Sequence, residues 1–226
     1  MKLAEQIVIV TGSNGAVGSV VTERLKLTAR HVVAVSRGAA VEFRPIDKHH
    51  SVLKGNLANP ESVHKMISAM ATNLDSGHAL VNIAGGFSLD GPLDGISPSA
   101  WDHMMKINFN TCMNMCRELL PIFKAQGFGR IINFGSQAGD AGMAGAIPYA
   151  VSKAAVHALT RSLAIEGGGI VTANLIIPNV IDTPANREAM PEADFSRWTK
   201  PETIADHIET ILDETDQPPN GQSIRL

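Results

Sequence analysis

The sequence predicts an α/β fold, a doubly wound parallel sheet with helices on both faces, and three observations carry that expectation. Short apolar, β-branched runs alternate along the chain with segments whose apolar residues recur at helical spacing, the pattern of strands joined by crossover helices. Glycine clusters stand where the first and fourth of these runs end, at Thr11–Gly18 and Asn82–Gly86. The 226 residues contain no Pro/Ser-rich linker, repeat or low-complexity tract, so residues 1–226 read as a single domain with a sizeable core.

The first strand is Gln6 to Val10, Q-I-V-I-V, ended by T-G-S-N-G-A-V-G from Thr11 to Gly18. Val17, Val20, Val21 and Leu25 then repeat at helical spacing. Between a strand and a helix a glycine motif acquires meaning: Gly12 permits the tight turn, and Gly15, Ala16 and Gly18 let backbone amides approach a pyrophosphate. The alternative is a βα turn that needs glycine for geometry alone. His31 to Val35 is the second strand, followed by Ser36-Arg37. An acid at that point would bind the adenosine ribose 2′-hydroxyl and repel a 2′-phosphate. Here a guanidinium stands instead, which can fork onto phosphate oxygens, so NADP is favoured, with NAD possible.

Ser51 to Leu53 reads as a third strand, and Asn59-Pro60-Glu61 starts a helix with Asn59 as N-cap. Ala79 to Ile83 is the fourth strand, ending in N-I-A-G-G beside the expected cofactor. Ser97-Pro98 caps a long helix containing Trp101, Met104, Met105, Asn108, Met115 and Leu119. Asn108, a polar amide among apolar neighbours, must find partners, by interrupting the helix ladder or by holding a water. Gly129 to Phe134 is the fifth strand; the next helix stops near Gly167 to Gly169, and Ala173 to Ile177 is the sixth strand. The connection from Asn179 to Thr199 carries bulky apolar residues after a strand end, as a substrate lid would. Thr199 to Glu202 resembles a capping box for a last helix through Ile204, Ile208, Ile211 and Leu212, and Ser223 to Leu226 is expected at the sheet edge.

The stretch from Asn133 to Lys153 carries the chemistry. Tyr149, the one tyrosine of the chain, and Lys153 lie four apart on a helix and so on one face. A phenol is a poor proton carrier near neutrality unless a neighbouring cation favours the phenolate, and Lys153 is expected to be that cation. Ser136, at the loop end of a strand, is placed to hydrogen-bond an oxygen that Tyr149 protonates.

A formal net charge of -3 with interspersed signs offers no footprint for nucleic acid and no polybasic membrane segment. The N-terminus leaves no room for a signal peptide, and no apolar run is long enough to span a bilayer, which points to the cytoplasm. Cys112 and Cys116 read as small buried hydrophobes, and the histidines form no ligand cluster, so no metal site is expected.

With these motifs the sequence resembles the classical short-chain dehydrogenase/reductase family over essentially its full length. Thr11 through Gly18 is similar to Thr-Gly-x-x-x-Gly-x-Gly with Ala16 for the middle glycine. Asn82-Ile83-Ala84-Gly85 is similar to Asn-Asn-Ala-Gly, and Pro178 to Thr183 to Pro-Gly-x-x-x-Thr with Asn179 for glycine. Asn108, Ser136, Tyr149 and Lys153 match the four catalytic positions. The resemblance implies a Rossmann-type fold, NAD(P)-dependent hydride transfer between nicotinamide and a carbonyl or alcohol, and a homodimer or homotetramer. It places the cofactor on Gly12, Ser13, Asn14, Ala16, Val17, Gly18, Ser36, Arg37, Asn56, Leu57, Asn82, Ala84, Gly85, Tyr149, Lys153, Pro178, Val180 and Thr183. Lys153 would also hold the nicotinamide ribose, and Asn108 a water path to Tyr149. Asp182 to Thr199 is similar to dihydropteridine reductases, from which Ser136 and Ser36-Arg37 depart. A nucleotide-sensing regulator and a non-catalytic scaffold are the competing classes. Phe87, Met143, Met190, Phe195 and Trp198 suggest a partly hydrophobic pocket, although each could equally be core.

Overall fold

The computed structural model describes residues 1–73 and 77–226. Among the described residues, eight strands form one sheet: β1 (Ile7–Thr11), β2 (His31–Arg37), β3 (Glu42–Asp47), β4 (His50–Gly55), β5 (Ala79–Asn82), β6 (Gly129–Phe134), β7 (Val171–Ile177) and β8 (Ser223–Arg225). Their spatial order is β3-β4-β2-β1-β5-β6-β7-β8. Every neighbouring pair is parallel except β3 with β4. The helices are α1 (Ala16–Thr28), α2 (Pro60–Asn73), α3 (Pro98–Met104), α4 (Thr111–Ala125), α5 (Ala138–Ala141), α6 (Ile147–Glu166), α7 (Pro184–Ala189) and α8 (Pro201–Asp213).

The alternation of side chains along β1 shows why its run is apolar throughout. Ile7 and Ile9 enter one buried cluster with Met115, Leu119 and Phe123 of α4, whereas Val8 and Val10 enter a second with Val21 and Leu25 of α1 and Ile204 and Ile208 of α8. A strand covered on both faces reads as a near-continuous apolar run, here ended by the buried Thr11, whose hydroxyl is hydrogen-bonded. Each such fully buried aliphatic side chain contributes about 1.5–3 kcal/mol. The order reverses between β1 and β5, and at that point the two glycine turns meet.

Three expectations change. The third strand is longer than Ser51–Leu53, and an antiparallel strand, β3, precedes it where a crossover helix would ordinarily run. Its sequence, E-F-R-P-I-D, is exposed along most of its length and contains Pro45, both of which are tolerated only because it lies at the edge. The long helix after Ser97 is broken into α3 and α4 by a π-helical stretch, Met105–Asn110, that contains Asn108. The capping box at Thr199 does not form: Lys200 is the N-cap of α8 with no side-chain bond, and the Thr199 hydroxyl donates to the Leu226 carbonyl at 3.2 Å. Asn59 and Ser97 do cap, accepting from the amides of Ser62 and Ala100. The expected lid is part helical, with α7 and a short turn at Phe195–Arg197.

Candidate active site

The first glycine turn is built around one residue that cannot be otherwise. Gly12 has φ of 70°, and a Cβ there would lie 2.9 Å from the Ala84 amide nitrogen. The Thr11 hydroxyl accepts from the amides of Ile83 and Ala84 at 3.1 and 3.2 Å, locking the second glycine turn against the first. A Cβ on Gly18 would overlap the Gly12 carbonyl oxygen, so α1 packs directly on the turn. Its N-cap, Gly15, offers no side-chain oxygen, and its first turn holds no acid. The leading amides of α1 are therefore left for a ligand, with the positive end of the helix behind them.

Those amides face a groove of about 1040 Å³ at the reversal of strand order. Gly12, Asn14, Ala16, Val17, Gly18, Ser36, Arg37, Asn56, Leu57, Ala84 and Gly85, all expected from sequence, line it. Its charged lining groups are Arg37 and Lys106, with His103 beside them and no carboxylate. A cleft of this size at a switch point, with an open helix N-terminus and cationic walls, fits a dinucleotide.

Not every expected residue lines the groove. The Ser13 side chain turns away to donate to the Val35 carbonyl at 3.0 Å. Asn82 is buried, its amide donating to Asn133 Oδ1 at 2.9 Å and resting on the sulfurs of Cys112 and Cys116. Both cysteines are buried and unpaired. Asn56 does line it, although its carboxamide oxygen accepts the Ala58 amide and so holds its own turn. Pro178, Val180 and Thr183 follow β7: Pro178 is buried, the Val180 carbonyl accepts from Thr199, and Thr183 caps α7. His103, Lys106, Ile107 and Thr111 line the groove without having been expected there. They recur at helical spacing along one face, and which face of this helix meets the groove is set by its packing rather than by its sequence.

At the Gly85 end of the groove the four expected catalytic side chains converge. The Asn108 amide clasps the Gly86 backbone, donating to its carbonyl and accepting its amide, both at 3.0 Å. That reciprocal pair gives the carboxamide one accepted and one donated bond. A Cβ on Gly85 would lie 2.6 Å from Asn108 Oδ1 and 3.7 Å from Lys153 Nζ, so all three crowd one point. Lys153 is buried, and its ammonium donates to the Phe134 carbonyl at 2.9 Å. Burial lowers its pKa to about 8. An ammonium carries three donors, so two remain for ligand hydroxyls.

Tyr149 differs from expectation in its electrostatics. Its pKa is raised, by burial first, and only a side-chain hydrogen bond with Ser136 pulls it back. The Lys153 nitrogen lies 6.0 Å from the centroid of the tyrosine ring. The cation expected to favour the phenolate is thus turned toward the Phe134 carbonyl, and the phenol is held in its protonated, donor-competent form. Phe87 stands edge-on to the Tyr149 ring at 5.0 Å, and Phe195 packs on Trp198 at 4.7 Å and beneath the Arg187 guanidinium. Arg187 also forks onto Asp182 at 2.6 and 2.9 Å, pinning the segment after β7.

A family model described as short chain dehydrogenase matches residues 6–194. The 3-oxoacyl-(acyl-carrier-protein) reductase FabG of Pseudomonas aeruginosa is 30% identical over 204 residues, covering 85% of this chain and 80% of its own. An acetoacetyl-CoA reductase of Rhizobium meliloti is 26% identical over 212 residues, covering 88% of both chains. The solved structure of a short-chain type dehydrogenase/reductase from Mycobacterium ulcerans superposes with a TM-score of 0.87 at 21% identity, over 100% of this chain and 90% of that one.

Proposed function

Since this chain belongs to the short chain dehydrogenase family, we propose that it is an NADPH-preferring reductase acting on a small carbonyl compound through Ser136, Tyr149 and Lys153. The observation that carries this reading is the buried Lys153 ammonium beside Gly85, at one end of a dinucleotide-sized groove, with the Tyr149 ring centroid 6.0 Å from it. When bound, the nicotinamide supplies or takes up the hydride.

The chain's own residues do the rest. Tyr149 is a neutral phenol across the neutral range and gives its proton to the substrate oxygen as charge builds there, a contribution of roughly 10²- to 10⁴-fold. Ser136 donates to the same oxygen and fixes the carbonyl plane. Lys153 would hold the cofactor's ribose hydroxyls with the two donors that Phe134 does not take. Asn108 keeps Gly86 in place, so that the second glycine turn and Phe87 stay registered on Tyr149. The cationic, acid-free groove supports NADPH through Arg37. The exposed Phe87, edge-on to Tyr149, supports a partly apolar substrate. The relatives named as reductases support the carbonyl-reducing direction.

Tyr149→Phe tests this directly. NADPH oxidation would be followed with a panel of ketones, 3-oxoacyl thioesters and a quinonoid dihydropterin. Turnover with the best substrate is expected to fall by at least about 100-fold with NADPH affinity unchanged. Near-normal turnover would refute the assignment, and turnover confined to the pterin would favour the pteridine branch of the family.

A further inference from the structure

We propose that His157 is a positioning residue, the last link of an Arg225–Asp140–His157 chain that holds the backbone of Ser136 in place through a neutral imidazole whose Nε2 carries no proton. This rests on the reading of Ser136 as the group that orients the substrate oxygen. His157 lies on α6 one turn beyond Lys153 and is 1% exposed.

The chain is continuous. The Ser136 amide donates to His157 Nε2 at 3.2 Å. His157 Nδ1 lies 3.0 Å from Asp140 Oδ1, and Arg225 Nη2 donates to Asp140 Oδ2 at 2.7 Å. The partners fix the tautomer: an amide can only donate, so Nε2 must accept, and the single ring proton belongs on Nδ1, where a carboxylate receives it. The residues around Ser136 are shaped to admit the ring. A Cβ on Gly135 would strike Nε2, and one on Gly139 would lie 2.9 Å from Cε1. Without the imidazole the Ser136 amide, at the point where the chain leaves β6, would lose its partner.

Protonation would undo the arrangement, because an imidazolium presents a donor to a donor. Burial opposes that charge first; Asp140 favours it, and Arg161 and Lys153 on the same helix oppose it. Arg225, from the far edge of the sheet, spends part of Asp140's charge. The serine is therefore held at neutral pH and released in acid.

Nitrogen-15 NMR of the histidine rings, amide exchange at Ser136, and kcat–pH profiles would test this in three variants. In the wild type at neutral pH, Nδ1 of His157 should be protonated and Nε2 bare, with the Ser136 amide protected from exchange. His157→Leu should expose that amide and lower kcat by roughly 10- to 100-fold with NADPH affinity unchanged. His157→Gln, whose side-chain oxygen accepts the same N–H and does not titrate, should restore most of kcat and abolish the acid limb of the profile. If the leucine variant does not fold, Asp140→Asn serves: removing the carboxylate that favours the imidazolium should move the acid limb to lower pH. A ring protonated at Nε2, wild-type kcat in His157→Leu, an unchanged acid limb in His157→Gln, or a limb moved upward in Asp140→Asn would each overturn the proposal. A wild type that shows the stated tautomer and amide protection but turns over no carbonyl would instead sink the reductase reading, leaving the hold of His157 on Ser136 intact.

Discussion

Replacing Lys153 by methionine should make the ligand-free protein more stable and inactive at once. Folding carries this ammonium into a site where it is 7% exposed, and its pKa falls from 10.5 to about 8. That gap corresponds to about 3 kcal/mol by which folding disfavours the charged form. Methionine, of similar length, removes the charge but also the bond to the Phe134 carbonyl, a loss of about 1–2 kcal/mol. The net gain at pH 7 is then about 1–2 kcal/mol, or about 2–8 °C in Tm for a chain of this size. The sign of the pH dependence follows from proton counting. Below about 8 lysine is charged in both states and the full penalty is present. Between about 8 and 10.5 the unfolded chain binds more protons than the folded one, so wild-type stability rises with pH through that window. Above it the penalty is gone, and the methionine variant, lacking the Phe134 bond, becomes the less stable of the two. Urea unfolding of both proteins, followed by tryptophan fluorescence at pH 7 and near the top of the window, reads the difference and its reversal. A variant less stable than wild type at pH 7, by the same margin at both values, would refute the reasoning. It would mean that the ammonium is not paying to be where it is, and the case for a site that sacrifices stability to function would fall with it.

Other substitutions test the groove and its rim. Arg37→Ala should raise the Kd for NADPH by roughly 10- to 100-fold, as expected for a lost charge-assisted bond, and leave NADH unchanged; equal weakening of both would remove the 2′-phosphate contact. Gly18→Ala forces a methyl onto the Gly12 carbonyl and should cost about 1–3 kcal/mol together with dinucleotide binding, measured by denaturation and cofactor fluorescence. Gly95→Ala, where an added Cβ meets nothing, is the control. Phe87→Ala removes the edge-on contact with Tyr149 and should raise KM for bulky ketones by roughly 3- to 10-fold; an unchanged KM across ketones of all sizes would take Phe87 out of the substrate wall.

Much of this was legible from local pattern. The apolar runs gave β1, β2, β5, β6 and β7, because a strand covered on both faces is mostly apolar; the polar residues buried within them, such as Asn82 and Asn133, bond to each other. Gly12 announced the first turn, since only glycine accepts its φ of 70°. Ser97 and Asn59 announced helix starts through hydroxyl and amide oxygens that reach the first amides. The failures are equally physical. β3 offers the core little more than the half-buried Phe43, too little to mark a strand, and its backbone pairs with β4. Thr199 had the right spacing for a capping box, but α8 starts one residue later with Lys200 as N-cap, while the Thr199 hydroxyl donates to the Leu226 carbonyl.

By itself the sequence determined what adjacency and period determine: which segments are strands and helices, that Tyr149 and Lys153 share a helix face, and that the first glycine turn opens onto a helix N-terminus. Only the tertiary structure decided the state of those groups. Burial raises the Tyr149 phenol and lowers Lys153, Asn108 reaches back to Gly86, and His157 ties Ser136 to an arginine at the far sheet edge. A side chain's charge and partners depend on how much water the fold removes and on which distant segments it brings near, and no window of neighbouring residues contains either.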